Sequence, residues 1–340
     1  MTSKLSFSIC VPVYKGSKNL KSALDSIFRQ KVNFNYEVIV ADDNPPSEYE
    51  EIKKTEAIIT AYKDDRITYF KNSQNLGSAL NIRKLAENAN NDILSILCQD
   101  DIFAKDALQR THDAFLISPE VGVVTRPYFW FDDDFHNPVR VVTPYNQKQD
   151  TLLSIFTGKR EFLKIFETVG QLSGLAYRRK YLNLPFGDEC FTGHIYPFAG
   201  ILKNYKCVFL KDFTVAVGIR QSQSRHISTI YDLSPSLSWL KMYEKVFNGR
   251  KYELMKRWGK EHVANNFVGL LQIKNYARKG ALEKEIELLL KLKWLNIFNP
   301  KFWFYVFLTK LFPKMLLIWL TDYYKLKINS AFLPPVKFKF

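Results

Sequence analysis

Short apolar runs alternate with segments of helical periodicity along the first hundred residues. The runs with the length and β-branched content of buried strands are Leu5–Val13, Glu37–Ala41, Ile67–Phe70 and Ile93–Cys98. The segments with apolar residues three and four positions apart are Ser17–Gln30, Glu48–Tyr62 and Gly77–Asn88. Strands that alternate with helices at this spacing predict an α/β fold, whose sheet is mostly parallel and has helices on both faces.

The pattern changes twice further along the chain. After residue 120 it is less regular, and the predicted elements there are the strands Val121–Thr125, Tyr128–Phe131, Lys206–Leu210 and Thr214–Ile219 and the helix Lys159–Val169. From Leu233 it becomes helical, with predicted helices at Leu237–Val246, Tyr252–Ala277 and Leu282–Leu295. We therefore predict a main domain over residues 1–230, a helical region over 231–300 and a C-terminal tail over 301–340.

The charge of the chain is uneven. The 340 residues include 49 Lys and Arg against 34 Asp and Glu, a net charge of +15, which calls for an anionic partner. Residues 1–230 hold 29 basic and 26 acidic side chains, whereas residues 231–340 hold 20 and 8. The excess charge therefore belongs to the C-terminal part, and the main domain is close to neutral.

Cysteine usage predicts a reduced protein. The four cysteines, Cys10, Cys98, Cys190 and Cys207, form no Cys-x-x-Cys pair and no cluster with zinc spacing. The N-terminus lacks the charged and apolar segments of a signal peptide, so we expect a cytoplasmic location.

Two predicted strands end in acidic pairs, Asp42 with Asp43 and Asp100 with Asp101. Ligands of open α/β sheets bind at the carboxyl ends of the strands, which parallel strands bring to one edge. Carboxylates there suit a hard divalent cation that is shared with substrate phosphates. Acids after strands also cap helices, but two pairs at equivalent positions favour a binding site.

Four blocks of residues resemble one known family in their order and spacing. They are Ser8–Tyr14, Val38–Asn44, Asn75-Leu76-Gly77 with Asn81, and Gln99-Asp100-Asp101. Over about residues 5–125 the chain resembles the family 2 glycosyltransferases. The resemblance implies the GT-A fold, a Rossmann-like mixed sheet that is mostly parallel, here followed by a helical, membrane-associating extension.

The resemblance also implies a binding site for a nucleotide-sugar donor, with residues 1–101 as the donor half and 102–230 as the acceptor half. The residues that it assigns to the donor in the first half are Pro12, Val13, Tyr14, Asp42, Asp43, Asn75, Gly77 and Asp100. The backbone of residues 12–14 would contact the base, and Asp42 would accept a hydrogen bond from it. Gly77 would allow close approach to the nucleoside, and Asp100 would meet the ribose.

Asp101 is the metal ligand that the resemblance implies, holding Mg²⁺ or Mn²⁺ at the diphosphate. The family usually has a further acid two residues earlier, where this chain has Gln99. A rival motif, Asp132-Asp133-Asp134, lies between aromatic strand-like runs, which indicates a solvated hairpin turn. We therefore place the metal at Asp101.

The catalytic base is less clearly marked. An inverting enzyme needs a carboxylate that takes the proton of the acceptor hydroxyl, but His194 stands where the family has an acidic pair. His194 could be the base, Asp188 or Glu189 could reach the site from the preceding loop, or none of them serves and the stereochemistry differs. His194 is equally suited to bind the acceptor or cap a helix. The stretch from Thr192 to Pro197 resembles bacterial O-antigen dideoxyhexosyltransferases such as abequosyltransferase-like enzymes.

A basic segment from Arg220 to His226 follows the last predicted strand of the main domain. In the family such a segment can close over the donor diphosphate, and Arg suits bidentate phosphate contacts. We assign this role to Arg220 or His226, and the alternative is a solvated basic loop.

The end of the chain is basic and aromatic. Residues 291–340 contain nine Lys and one acid, Asp322, and their apolar runs are too short for a confident transmembrane helix. Lysines beside Trp, Tyr and Phe are typical of helices that lie on an anionic membrane surface. A core helix pair or a dimer interface is the alternative. Nucleic acid is not expected, because no binding motif for it is present.

The predicted function is transfer of a sugar to a hydroxyl of an undecaprenyl-diphosphate-linked glycan, in O-antigen or capsule synthesis at the cytoplasmic face of the bacterial inner membrane. A second hypothesis is a nucleotide-sugar-binding or scaffold protein that has lost its base. A nucleotidyltransferase is a third, but Tyr14-Lys15-Gly16-Ser17 is a poor phosphate loop.

Overall fold

Buried strands form where the sequence has apolar runs, and the first four lie within two residues of their predicted bounds. The computed structural model describes residues 4–220 and 222–340. Its strands are β1 (Phe7–Val13), β2 (Tyr36–Asp42), β3 (Ile67–Lys71), β4 (Ile93–Ile96), β5 (Ile102–Phe103), β6 (Val121–Thr125), β7 (Tyr128–Phe131), β8 (Pro138–Val142), β9 (Thr151–Leu153), β10 (Ala176–Arg178), β11 (Lys206–Phe209) and β12 (Val215–Gly218). Its helices are α1 (Ser17–Phe28), α2 (Tyr49–Tyr62), α3 (Ser78–Asn88), α4 (Ala107–Leu116), α5 (Lys159–Thr168), α6 (Ile195–Leu202), α7 (Gln223–His226), α8 (Pro235–Val246), α9 (Glu253–Ala264), α10 (Gly269–Tyr276), α11 (Ala281–Leu292), α12 (Pro300–Leu311) and α13 (Lys314–Tyr323).

The main sheet is mixed and mostly parallel, which confirms the predicted fold class. Its strand order is β3-β2-β1-β4-β10-β6-β11-β9. β1 pairs in parallel with both β2 and β4, while β10 runs antiparallel between β4 and β6. Because β1, β2 and β4 are parallel neighbours, the residues that follow Val13, Asp42 and Ile96 lie along one edge of the sheet.

Helices cover this sheet because its strands are apolar on both faces. Phe7, Ile9 and Val11 of β1 are buried in one hydrophobic cluster with residues of α1 and α4. The helix α3 also packs on β1 and β2, and its residues Ile82 and Leu85 are buried. The hydrophobic effect of covering both faces therefore fixes where the loops at the strand ends can lie.

A second, four-stranded sheet has the order β5-β12-β7-β8. β5 begins directly after Asp101 and pairs antiparallel with β12. β7 and β8 pair antiparallel around the turn that contains Asp132-Asp133-Asp134, as the predicted hairpin requires. The small sheet therefore meets the edge of the main sheet at Asp101.

The chain divides into two units at positions that differ from the predicted domains. The first unit comprises residues 4–219 with Pro334–Phe340, and the second comprises Arg220–Leu333. The second unit begins before residue 230 because the Tyr231 hydroxyl donates to the Ser224 carbonyl (2.9 Å) and accepts from Gln272 of α10 (3.0 Å). The predicted tail over 301–340 is thus split between the units.

Pro334–Phe340 packs on the second sheet. The ring of Phe338 lies edge-on to Phe129 with centroids 5.1 Å apart, and it also contacts Phe135. The Lys105 N–H donates to the Lys339 carbonyl (2.8 Å). These contacts explain why the last residues belong with the first unit.

Removing the Phe338 ring should therefore destabilise the first unit. We expect Phe338→Ala to lower its free energy of unfolding by about 2 kcal/mol, because a half-buried ring leaves a gap against Phe129. Urea unfolding checks this. Phe332→Ala, whose side chain is 84% exposed, is the control and should change little. Equal effects of the two substitutions would contradict the packing role.

The second unit is helical, and one prediction about it was wrong. The single helix predicted over Tyr252–Ala277 is two helices, because α9 ends at Ala264. Asn296 donates from Nδ2 to the Ala264 carbonyl (2.9 Å), and the next residues, Asn265 and Asn266, are poor helix formers. Among the described residues, no helix is long and apolar enough to cross a membrane.

Candidate active site at the strand ends

The turn after β1 is held by Gln99. The Tyr14 N–H donates to Gln99 Oε1 and Gln99 Nε2 donates to the Tyr14 carbonyl, both at 2.9 Å. A Cβ on Gly16 would lie 1.9 Å from Gln99 Oε1, so a larger residue there would displace the Gln99 amide from Tyr14. The sequence presented Gln99 only as a missing acid, whereas the structure shows that it positions the predicted base-binding turn.

Asp42, at the end of β2, is completely buried. Its Oδ2 accepts from the Tyr69 hydroxyl (2.9 Å), and its Oδ1 accepts from the backbone and side chain of Asn44 (2.9 and 2.7 Å). Burial raises the pKa of Asp42, and the hydrogen bonds from Asn44 and Tyr69 oppose the rise. Its hydrogen bond to a nucleotide base stays a prediction.

Asp43 organises the loop that the sequence assigned to the nucleoside. It accepts from the backbone N–H groups of Leu76 (2.8 Å) and Gly77 (2.9 Å), and Asn75 donates to its carbonyl (2.9 Å). Gly77 has a φ of +80°, and the space beside it is open, since no atom lies within 4 Å of an added Cβ. The structure thus brings residues 75–77 to the end of β2, next to Asp42.

Asp100 and Asp101 follow β4 at the same edge. Asp101 Oδ2 accepts from Ser173 Oγ (2.5 Å) and Gln171 Nε2 (3.0 Å), and Oδ1 accepts from the Gly218 N–H (2.9 Å). Asp100 Oδ1 accepts from Asn19 Nδ2 (3.0 Å). Burial raises the pKa of Asp101 to about 7 and that of Asp100 to about 6.

These carboxylates fit a divalent cation. Burial raises the pKa values of both carboxyl groups although the charge of Arg126 acts against the rise at Asp101, and a hard cation would favour their charged forms further. Within residues 4–220 and 222–340, Asp101 Oδ1 accepts one hydrogen bond, which leaves a lone pair for a metal. The described residues hold no group of three metal-ligating acids, His or Cys, so other ligands would come from water and substrate phosphates.

The loop of residues 169–174, between α5 and β10, is packed against Arg126. The buried Arg126 guanidinium donates through Nε to the Ser173 carbonyl (2.8 Å) and through Nη2 to the Gln171 carbonyl (2.8 Å). Its Nη1 donates to the Thr168 carbonyl (3.2 Å). Burial lowers the pKa of Arg126 to about 10, so it stays charged at neutral pH.

His194 lies at the start of α6 and is buried. Its Nε2 and the Val169 carbonyl are 2.7 Å apart, and since a carbonyl only accepts, Nε2 carries the proton. Burial lowers the pKa of His194 to about 4. This geometry gives the predicted base role of His194 no support.

Asp188 and Glu189 lie on a tight loop before His194. The Gly193 N–H donates to the Glu189 carbonyl (2.8 Å), and the Gly187 N–H donates to the Gly193 carbonyl (2.7 Å). Glu189 Oε1 accepts from the Tyr196 hydroxyl (3.0 Å), while the Asp188 side chain is exposed. The loop therefore offers two carboxylates, and their base role stays a prediction.

The remaining candidates make other contacts. Arg220 and His226 belong to the second unit, where His226 Nε2 lies 3.0 Å from the Arg220 carbonyl, so their diphosphate role stays a prediction. Asp134 accepts from the His136 N–H (2.9 Å) and from Asn137 Nδ2 (2.8 Å) in an exposed turn. That turn is the solvated hairpin that was predicted for the rival acidic motif.

The sequence reasoning missed the residues that hold Asp101, namely Gln171, Ser173, Gly218 and, behind them, Arg126. Two signals were present. Arg126 is a single charge directly after the apolar strand β6, and buried charges need specific partners. Gly174 has a φ of +81°, and an added Cβ would meet Val215 at 2.4 Å and Arg126 at 3.0 Å.

Comparison with known proteins agrees with this architecture. The family model described as "Glycosyl transferase family 2" matches residues 8–183. An uncharacterised glycosyltransferase of Mycoplasma genitalium is 26% identical over 162 residues, which cover 43% of this chain and 52% of that protein. The minor teichoic acid biosynthesis protein GgaA of Bacillus subtilis is 27% identical over 127 residues, 36% of this chain and 28% of its own. The chain thus spans about half or less of these curated relatives' length.

Solved structures share the fold. S. aureus TarS 1-349 in complex with UDP-GlcNAc has a TM-score of 0.60 at 15% identity, covering 86% of this chain and 79% of that one. The mannosyltransferase PcManGT of Pyrobaculum calidifontis, in complex with GDP-Man and Mn²⁺, has a TM-score of 0.52 at 16% identity, covering 95% and 87%.

Proposed function

Since this chain belongs to glycosyl transferase family 2 and is a glycosyltransferase of GT-A fold, we propose that it moves a sugar from a nucleotide-sugar donor to a lipid-linked glycan of a bacterial surface polysaccharide. One observation carries the proposal. The Tyr14 turn, the loop held by Asp43 and the carboxylates of Asp100 and Asp101 meet at a single edge of the sheet. These are the positions where open α/β sheets bind nucleotides.

The donor half of the mechanism follows from these side chains. Gln99 fixes the backbone of Tyr14 for the base, and Asp43 fixes the Gly77 backbone for the nucleoside. Asp101, with Asp100 beside it, would hold Mg²⁺ or Mn²⁺. When bound, that metal neutralises the charge that develops on the departing nucleoside diphosphate. The TarS and PcManGT complexes, which contain UDP-GlcNAc and GDP-Man, support this class of donor.

The acceptor half needs a base for the attacking hydroxyl. We assign it to the loop with Asp188 and Glu189, because both are carboxylates and Glu189 is oriented by Tyr196. Arg220 or His226 would bind the diphosphate. The relationship to a teichoic acid biosynthesis protein supports a surface-polysaccharide acceptor.

The second unit supports an acceptor at a membrane surface. Large side chains of α12 and α13 point outward, among them Phe307 (56% exposed), Leu311 (73%) and Trp319 (59%), while Phe302 and Leu317 are buried. Exposed apolar residues beside exposed lysines suit a helix pair that lies in the headgroup region of anionic lipid. We therefore propose that the enzyme acts at the cytoplasmic face of the inner membrane.

The direct test is a screen of donors. Purified protein is incubated with Mn²⁺ and UDP-GlcNAc, GDP-mannose or other nucleoside-diphosphate sugars, and release of nucleoside diphosphate is measured. We expect hydrolysis of at least one donor that EDTA abolishes. Donor binding without turnover, even with lipid-linked acceptor present, would favour a second candidate, a donor-binding scaffold. The buried His194 in place of the family's acidic pair is the observation behind that alternative.

Gln99 gives a sharper prediction about the donor site. Gln99→Glu removes the amide donor to the Tyr14 carbonyl and sets a carboxylate against it. We expect the KM for the donor to rise about tenfold with a smaller change in kcat, since one hydrogen bond is lost and the turn shifts. Steady-state kinetics with the donor found in the screen measure this. Gln109→Glu, on the surface of α4, is the matched control. An unchanged KM would show that the turn does not bind the donor.

A further inference from the structure

The loop of residues 169–174 contacts Asp101 on one side and two buried side chains, Arg126 and His194, on the other. Gln171 and Ser173 donate to Asp101 from their side chains at 3.0 and 2.5 Å. The carbonyls of the same two residues accept from Arg126, each at 2.8 Å. A displacement of Arg126 would therefore move the two side-chain donors of Asp101 together.

His194 holds the start of the same loop through the 2.7 Å contact between Nε2 and the Val169 carbonyl. His194 thus holds the loop at residue 169, and Arg126 holds it at residues 171 and 173. We infer that both are positioning residues, which keep the loop, and through it Asp101, in the geometry that the reaction needs. The part of this inference that concerns turnover rests on the proposed function, whereas the part that concerns the loop does not.

The chemistry of Arg126 suits this task. A buried guanidinium is costly unless its N–H groups are satisfied, and the carbonyls of residues 168, 171 and 173 satisfy them. Its planar fork reaches several carbonyls that diverge in space, which a lysine ammonium on a flexible stem does not reproduce. Gly174 lets the loop approach Arg126 closely, because an added Cβ would lie 3.0 Å from Nε.

For His194, the positioning role and the base role predict opposite results for one substitution. A glutamine side chain places an amide N–H about where the imidazole Nε2–H lies, and it has no useful basicity. His194→Gln should therefore keep the hydrogen bond to the Val169 carbonyl. A base cannot be replaced in this way, since the proton of the acceptor would have no recipient.

The experiment uses the full chain and two readouts. Hydrogen exchange reports the loop, where the amides of Gln171 and Gly174 bond to the carbonyls of Thr168 and Ile96. Donor hydrolysis with Mn²⁺ reports the site. Arg126→Lys and His194→Ala should speed exchange in the loop and lower kcat/KM about 100-fold, because small misplacements in an active site cost this much. His194→Gln should restore slow exchange and stay within about tenfold of the wild type, with both limbs of the pH profile intact.

Arg178→Lys is the matched control. Arg178 is also a buried arginine that donates to carbonyls, those of Val121 and Phe115 at 2.9 Å, but it lies at the opposite end of β6. Hydrogen exchange in the 169–174 loop and donor turnover should be the same in Arg178→Lys as in the wild type.

Three results would overturn the inference or part of it. Unaltered hydrogen exchange in Arg126→Lys and His194→Ala would show that these side chains do not hold the loop. A His194→Gln protein that keeps a protected loop but is as inactive as His194→Ala would make His194 the base. If the wild type turns over no donor, even with lipid-linked acceptor present, the proposed function fails, and the exchange pattern still decides whether the loop is held by these residues.

Discussion

Asp101→Asn should lower the rate of sugar transfer by at least about 10³-fold, because it removes a charged metal ligand at the leaving group. The amide keeps the volume of the carboxylate and one acceptor oxygen, so Ser173 still has a partner. Donor turnover with saturating Mn²⁺ measures the loss. Asp133→Ala, in the exposed turn after β7, is the control and should keep most of the activity. If Asp133→Ala lost more activity than Asp101→Asn, the metal would be assigned to Asp132-Asp133-Asp134 instead.

The same substitution should have the reverse effect on the stability of the metal-free protein. Burial raises the pKa of Asp101 to about 7, against about 4 in an unfolded chain. The folded state therefore binds a proton that the unfolded state lacks between these pH values. The stability that this proton contributes is complete below about pH 4 and is lost as the pH rises through 7.

Asp101→Asn has no such proton to lose. Between pH 5 and 7 the wild type should lose stability relative to the variant by up to about 1.4 kcal/mol per pH unit, and the difference should level off above pH 7. Urea unfolding in EDTA at several pH values measures this difference. A constant difference would mean that the carboxylate is not held in a buried, metal-free site as the structure places it.

The sequence predicted the fold, and the position of the proposed donor residues at one edge of the sheet, because both depend on local patterns. Apolar runs gave β1, β2 and β4, and parallel pairing then brings the residues after them together. The family resemblance assigned Asp43 and Gly77 to the donor, and the structure joins them by a hydrogen bond, while their donor role stays a prediction. Family membership follows from the same blocks.

Contacts between distant segments were not predictable in this way. Arg126 and Ser173 are 47 residues apart, and only the packing of the 169–174 loop explains why a single arginine follows β6. The return of Phe338 to Phe129 was likewise hidden, because the last residues share the basic, aromatic composition of α12 and α13. The contact of His194 was hidden for a related reason, and its role as the base stays a prediction. Its position at a helix start is visible in the sequence, but the Val169 carbonyl that occupies its ring nitrogen is not.

The split of the C-terminal tail changes how membrane binding should be tested. Deleting residues 301–340 would remove the Phe338 contacts of the first unit together with the exposed helices of the second. A loss of binding after such a deletion would then have two explanations. Substitutions on the exposed face avoid this, since they leave Pro334–Phe340 and the buried Phe302 in place.

The variant Phe307→Ser/Leu311→Ser/Trp319→Ser should weaken binding to anionic vesicles by about 10³-fold, since each large apolar side chain contributes roughly 1.5 kcal/mol at the interface. These side chains are more than half exposed, so the fold should tolerate the changes. Flotation with vesicles of phosphatidylglycerol and phosphatidylcholine measures the binding. Raising the salt should weaken wild-type binding only in part, because lysines supply the electrostatic share and the aromatics the rest.

A control variant separates this face from general surface hydrophobicity. Tyr49, Leu116 and Ile117 of the first unit are about as exposed, at 57%, 48% and 52%, and their replacement by Ser should leave vesicle binding unchanged. Donor hydrolysis in solution should be normal in both variants, while transfer to a lipid-linked acceptor in vesicles should fall only in the first. A different result would be that the wild type does not bind vesicles and sediments as a dimer, and that the first variant is a monomer. The exposed face would then be a subunit interface. The lysines around it would then surround a protein contact, and the enzyme would need another route to its acceptor.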